Sequence, residues 1–221
     1  MTSLPSLKVL VIDTETTGLP KGKDVYAENQ PWPVQIGIIL MDLSKDTFDH
    51  SSNHLVIPPE GTFFNPKAVE VHGLTEDIVR ANGEDMLGVM EMLRDLRKRA
   101  DIVAAYNLPF DERIIRSSSV RLDSSFEKDH DLGVHGDAIA HHCIMEYATN
   151  FFETRRRKSV GQVVASSTER RPLRMMHRKL VTVYEELKGV KLEGAHDALA
   201  DAVAAAVVMK ELIYREMSEE N

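Results

Sequence analysis

The sequence is poor in the residues that staple or anchor a chain: in 221 residues it has one cysteine, Cys143, and one tryptophan, Trp32. A lone thiol closes no internal disulfide, and without a cysteine pair a thiolate zinc site is excluded. Aromatic residues make up only 6%. No stretch approaches the roughly 20 apolar residues that span a bilayer, so no membrane partner is expected. Residues 1–6 carry neither a basic nor an apolar segment, so no signal peptide is expected, and a soluble, cytoplasmic protein is. Internal repeats and low-complexity tracts are absent. What remains is globular, 43% apolar and 28% charged, with a length that suits one domain over residues 1–221.

The chain is organised around residues 8–18, Lys-Val-Leu-Val-Ile-Asp-Thr-Glu-Thr-Thr-Gly. Four consecutive apolar residues predict a buried central strand. In an extended chain residues two apart share a face, so Asp13 and Glu15 point the same way. Adjacent carboxylates repel and burial raises that cost, for which a bound metal is the usual remedy. The plainer alternative is a polar strand end whose acids cap a neighbouring helix.

Further strands are predicted over residues 34–41 and 54–57, the latter stopped by Pro58 and Pro59, which cannot donate to a ladder. Together they suggest an antiparallel meander. A helix is expected after Thr75 as N-cap, and another over 85–99, where Met86, Val89, Met90, Leu93 and Leu96 recur at helical spacing. A fourth strand is predicted at 102–106. Pro109 then suits the first turn of a helix, which delivers Asp111 to the end of that strand. Residues 117–135 read as an exposed polar loop, 134–140 as a fifth strand and 141–152 as a helix. His130, His135, His141 and His142 lack metal-ligand spacing and are expected on the surface. Helices over 177–187, stopped by Gly189, and over 197–217 complete an α/β domain with a mixed sheet.

Three motifs sit at the ends of these elements: Asp13-x-Glu15-Thr16-Thr17-Gly18, Asn107-x-x-Phe110-Asp111 and His196-x-Ala198-x-x-Asp201. In that order they resemble the exonuclease motifs of the DnaQ-like 3′-5′ exonucleases, in the subgroup with four acids and a histidine. His72-Gly73-Leu74-Thr75 and Pro33-Val34-Gln35-Ile36-Gly37 resemble that family too. The similarity spans about residues 8–209 and is poor over 117–173. It implies a ribonuclease-H-like fold with a five-stranded mixed sheet flanked by helices, the first three strands antiparallel.

The resemblance implies phosphodiester hydrolysis from the 3′ end of nucleic acid, releasing nucleoside monophosphates, with single-stranded DNA favoured and RNA trimming the alternative. Two divalent ions serve such chemistry by activating water and relieving charge, and oxygen ligands favour Mg2+, with Mn2+ as substitute. Asp13, Glu15, Asp111 and Asp201 would be the metal ligands and His196 the general base. Asp13 would bridge both ions, Glu15 and Asp201 would complete the site of the water-activating one, and Asp111 would serve the other. Thr16, Thr17, Gly18, Leu19, His72, Asn107 and Phe110 would contact substrate, with Phe110 favoured slightly as core and Tyr106 and Trp32 as weaker stacking candidates. A polymerase or clamp partner has no support from a carboxy-terminal tail.

Net charge is −8, which by itself disfavours a polyanion. Yet residues 153–179 hold nine Lys/Arg and two Glu, a local +7 against −15 elsewhere. Part of that segment, lying between the second and third motifs, is expected to contact phosphates.

Overall fold

The computed structural model describes residues 4–123, 140–161 and 177–219, with side chains given to residue 156 in the middle span. β1 (Lys8–Thr16), β2 (Pro33–Asp42) and β3 (Phe48–Ile57) form the expected antiparallel meander. β5 (Ile102–Ala105) lies parallel to β1, and β6 (Ala140–Cys143) parallel to β5. A two-residue strand, β4 (Glu84–Asp85), pairs with the far edge of β3, giving the order β4-β3-β2-β1-β5-β6. The described sheet thus has six strands rather than five. The additional one consists of two exposed acids with no apolar alternation to betray it.

Seven helices are described: α1 (Pro66–His72), α2 (Glu76–Asn82), α3 (Met86–Arg97), α4 (Leu108–Leu122), α5 (Ile144–Gly161), α6 (Leu180–Lys188) and α7 (Ala198–Glu219). Thr75 caps α2 as expected, its hydroxyl accepting the Ile78 N–H at 3.3 Å. Gly189 ends α6 at φ 71°, a left-handed cap that costs glycine little.

β1 is buried on both faces, which explains its unbroken apolar run. Val9 and Val11 pack with Ala202, Ala205, Ala206 and Met209 of α7, Val183 of α6 and Phe151 of α5. Leu10 and Ile12 pack with Met86, Val89, Met90 and Leu93 of α3 and Ile115 of α4. The alanines let α7 lie close to the sheet. At Gly37, opposite Asp13 in the β1–β2 register, a Cβ would sit 2.2 Å from the Ala198 carbonyl oxygen.

Several expectations are corrected. Residues 117–122 belong to α4, and Ser117, Ser118 and Ser119 are buried rather than looped out. Ser119 returns its hydroxyl to the Ile115 carbonyl at 2.8 Å, a local bond that lets a polar side chain sit inside a helix. His141 and His142 lie on β6 and are half-buried, not on a surface helix, because α5 starts three residues later than expected. Residues 124–139, with His130 and His135, lie outside the described residues. Tyr106 is core: it is buried and its hydroxyl donates to the Arg178 carbonyl at 2.6 Å, leaving no face for a base. No described helix is long and apolar enough to cross a membrane.

Gly37→Ala forces a methyl group against backbone that cannot swing aside, unlike a flexible side chain. It is expected to destabilise the fold by about 3 kcal/mol, seen as a lower urea midpoint with unchanged slope.

Candidate active site

Strand alternation carries Asp13 and Glu15 onto the face of Val9 and Val11, towards α7, and turns Thr14 towards α4. There the Thr14 hydroxyl donates to Asp111 Oδ1 at 2.8 Å, fixing a buried carboxylate in the first turn of α4. Asp201, in the first turn of α7, accepts the His196 backbone N–H on Oδ2 at 3.0 Å. Its Oδ1 is buried without a hydrogen-bond partner. One ligand atom each from Glu15, His196 and Asp201 lie within 4.8 Å of one another. Of the sequence's five candidates, Glu15, His196 and Asp201 thus meet directly, and Asp13 and Asp111 lie close enough for their charges to act on one another and on this group.

Burial raises the pKa of all four acids, and for Asp13 and Glu15 the neighbouring carboxylates add to it. Burial, then the charges of Asp111, Asp201, Glu15 and Asp197, raise Asp13 well above the ordinary carboxylate range. Glu15 is pushed up to about 8 by burial and by Asp201, Asp111 and Asp197. Burial raises Asp111 to about 7 against the opposing Thr14 bond. Asp201 is raised too, by burial, less the effect of its bond to His196. Among the described residues none of the four forms an ion pair with Lys or Arg. Buried oxygens short of donors, one with no partner at all, fit a hard divalent cation.

Three supporting residues have no counterpart among the sequence candidates. Asp197 accepts Gln35 Nε2 at 2.7 Å, Asn53 Nδ2 at 3.0 Å and the Ala200 N–H at 3.0 Å. Gln35 returns its Oε1 to the Ala198 N–H at 3.0 Å. This two-way amide clasp ties β2 to the start of α7. It sets His196 just ahead of the helix, at a positive φ of 70° unusual for a residue other than glycine. Asp197 was expected only as the first residue of the last helix, and its partners Gln35 and Asn53 lie more than 140 residues away.

The floor beyond β1 is also tied down. The Leu74 N–H donates to His72 Nδ1 at 3.0 Å, so the neutral ring carries its proton on Nε2 and donates to the Thr16 carbonyl at 3.1 Å. Burial lowers the His72 pKa and favours that neutral form. Both ring nitrogens are thus used within the chain. Thr17 accepts the Asn65 N–H at 2.8 Å, while Leu19 is 75% exposed. Asn107 is exposed and Phe110 half-buried at the start of α4. In the basic segment the described arginines are paired within the chain: Arg155 with Glu219, Arg156 with Glu153, Arg178 with Glu186. Arg155 and Arg178 also lie over Phe151 and Phe152. Residues 162–176 lie outside the described residues.

Acids gathered at the end of a central strand in a sheet of this order define a nuclease of the ribonuclease-H-like class. The RNase T exonuclease model matches residues 10–209, and the chain belongs to this exonuclease family, of the DnaQ-like 3′-5′ type. Divalent-metal dependence goes with the family. Among solved structures it is similar to E. coli exonuclease I in its zinc-bound complex with single-stranded DNA, at 18% identity and a TM-score of 0.69 over 96% of this chain and 41% of that one. A complex of the same E. coli enzyme with a dA16 oligonucleotide gives 18% and 0.70 over 95% and 41%. At such identity the likeness is one of fold, and the chain spans about two fifths of the length of those proteins. No curated protein matches the sequence significantly.

Removing one buried charge relieves the crowding. Asp13→Asn is expected to raise the melting temperature of the metal-free protein at pH 8 by roughly 2–4 °C for each kcal/mol of relief. The folded acids titrate above their unfolded values, so metal-free stability falls as pH rises towards 8. Divalent affinity, measured by calorimetry, should in turn rise through pH 7 to 8. Gln35→Ala leaves Asp197 and the Ala198 N–H short of partners and is expected to cost about 1–3 kcal/mol. Gln35→Glu should not rescue it in chemical denaturation, because a carboxylate cannot donate to Asp197.

Proposed function

We propose that this chain hydrolyses the terminal phosphodiester bond at the 3′ end of single-stranded DNA, releasing nucleoside 5′-monophosphates. The observation that carries the reading is the convergence of Asp13, Glu15, Asp111 and Asp201 with His196, with Asp201 Oδ1 buried and unpartnered. Asp13, Glu15, Asp111 and Asp201 would hold two Mg2+ ions, which when bound polarise the phosphate and lower the pKa of water. In this reading a ring nitrogen of His196 takes the proton of the attacking water. The water oxygen bonds to phosphorus, the bond to the penultimate 3′-oxygen breaks, and that oxygen acquires a proton as the new 3′-hydroxyl.

The Thr16, Thr17 and Gly18 backbone would carry the terminal sugar and Leu19 would pack against its base. His72 acts by holding that backbone rather than by touching substrate. Thr14 keeps Asp111 turned towards Asp13, and Gln35 keeps His196 in place. Support for DNA comes from the neighbouring E. coli structures, which hold DNA oligonucleotides.

The test is degradation of 3′-labelled DNA and RNA strands with chelator and metal add-back. Cleavage of the DNA strand is expected with Mg2+ or Mn2+, stopped by chelation and abolished by Asp13→Ala. His196→Ala should slow turnover by about 10^2–10^4 while retaining metal affinity. Cleavage of RNA alone would move the substrate to RNA ends, and activity surviving in Asp13→Ala would refute the assignment.

A further inference from the structure

Among the described residues the His196 ring makes no hydrogen bond, so it is aimed by the backbone that carries it. That backbone is a turn built against conformational preference. His196 sits at φ 70°, two residues after Gly194 at φ 72°, and the Asp197 N–H closes the turn on the Gly194 carbonyl at 3.1 Å. A left-handed residue that bears a side chain persists only where its surroundings hold it. On one side the hold is Asp201, whose Oδ2 accepts the His196 N–H. On the other it is Asp197. Its Oδ1 takes the Ala200 N–H of α7 and its Oδ2 takes Gln35 Nε2, while Asn53 Nδ2 reaches both oxygens, at 3.3 and 3.0 Å.

The two amides stand on the rungs of the sheet that carry the acids. Gln35 lies opposite Glu15 in the β1–β2 ladder, and Gly37 lies opposite Asp13 on one side and Asn53 on the other. Residues opposite one another in an antiparallel ladder share a face. Glu15 and Gln35 therefore project together, and Asp13 and Asn53 flank the gap left by Gly37, into which the first turn of α7 fits. Asp197 thus docks the turn bearing His196 on the same two rungs as Asp13 and Glu15, which ties the spacing of base and acids to the spacing of the strands. With both its oxygens taken by amide and backbone donors, Asp197 is a support rather than a further ligand for an ion.

We propose that Asp197, gripped by Gln35 and Asn53, is the positioning residue for His196, and that it acts through hydrogen-bond geometry rather than through its charge; this rests on the exonuclease reading above. Asp197→Asn sets donor against donor at residue 35, and Gln35→Glu sets carboxylate against carboxylate, so the two break one bond while shifting the charge in opposite directions. In the double variant Gln35→Glu/Asp197→Asn the amide and the carboxylate have changed places, the bond between them returns, and a carboxylate oxygen still accepts the Ala198 N–H. On a 3′-labelled DNA strand with saturating Mg2+, each single variant should lose about 10^2-fold in kcat with KM unchanged, the cost of a catalytic group displaced by about an ångström. The double variant should regain roughly tenfold or more of that loss. In a His196→Ala background Asp197→Asn should cost nothing further, because residues that act as one unit do not add. Asn53→Ala, at an exposed position and without change of charge, should lower kcat several-fold, and it decides the matter if the other variants fail to fold. A folded double variant no faster than the slower single one, a full further loss in the His196→Ala background, or an unchanged kcat in Asn53→Ala would overturn the positioning role and leave the exonuclease reading standing. A wild type inert on both DNA and RNA strands with Mg2+ or Mn2+ would overturn both.

Discussion

The crowding of buried negative charge at the end of β1 is the constraint on which the rest of the structure depends. Asp13 and Glu15 are raised by burial and by the charges of Asp111, Asp201 and Asp197, Asp111 and Asp201 chiefly by burial, and none of the four meets a Lys or Arg among the described residues. A flexible scaffold would let such groups drift apart or turn to solvent. This one cannot relax in that way, since β1 is buried on both faces and clamped between two apolar layers. Stability supplied by those layers is spent at the strand end on an arrangement that a divalent cation relieves.

Each acid is held by a different local device. Asp13 and Glu15 are set by strand alternation, Asp111 by the Thr14 hydroxyl, Asp201 by the His196 backbone. The devices share supports. Gln35 and Gly37 on β2 admit and clasp the first turn of α7, so one strand positions both His196 and Asp201. α4 carries Asp111 at its start, and further along it carries the arginines that tie down the loop after Gly18. The placing of Asp111 and the anchoring of the loop beyond Gly18 are thus two outcomes of one helix packing against one sheet.

The sequence was legible wherever chemistry and periodicity coincided. The apolar run before Asp13, the Thr75 cap and the alanine-rich face of α7 all followed from residue type and spacing, and so did the meander of β1 to β3. It was illegible where local bonds or distant partners replaced periodicity. Ser117 to Ser119 look like loop residues, but packing against the sheet layers keeps them in α4. His141 and His142 look like surface residues because nothing nearby in the chain reveals β6 as a strand beside β5. Arg155 and Arg178 read as part of a charge run, whereas their acidic partners lie on other stretches of the fold.

By itself the sequence determined the kind of chemistry, because carboxylates two apart on a strand and a histidine five residues before an aspartate are local patterns with direct chemical consequences. It also determined the central strand, because burial on both faces demands a continuous apolar run. Only the tertiary structure decided which groups support the site. Gln35 and Asn53 meet Asp197 from more than 140 residues away, and α4 reaches back about 90 residues to the loop beyond Gly18. Such contacts depend on the packing of sheet against helix, and no periodicity along the chain encodes them.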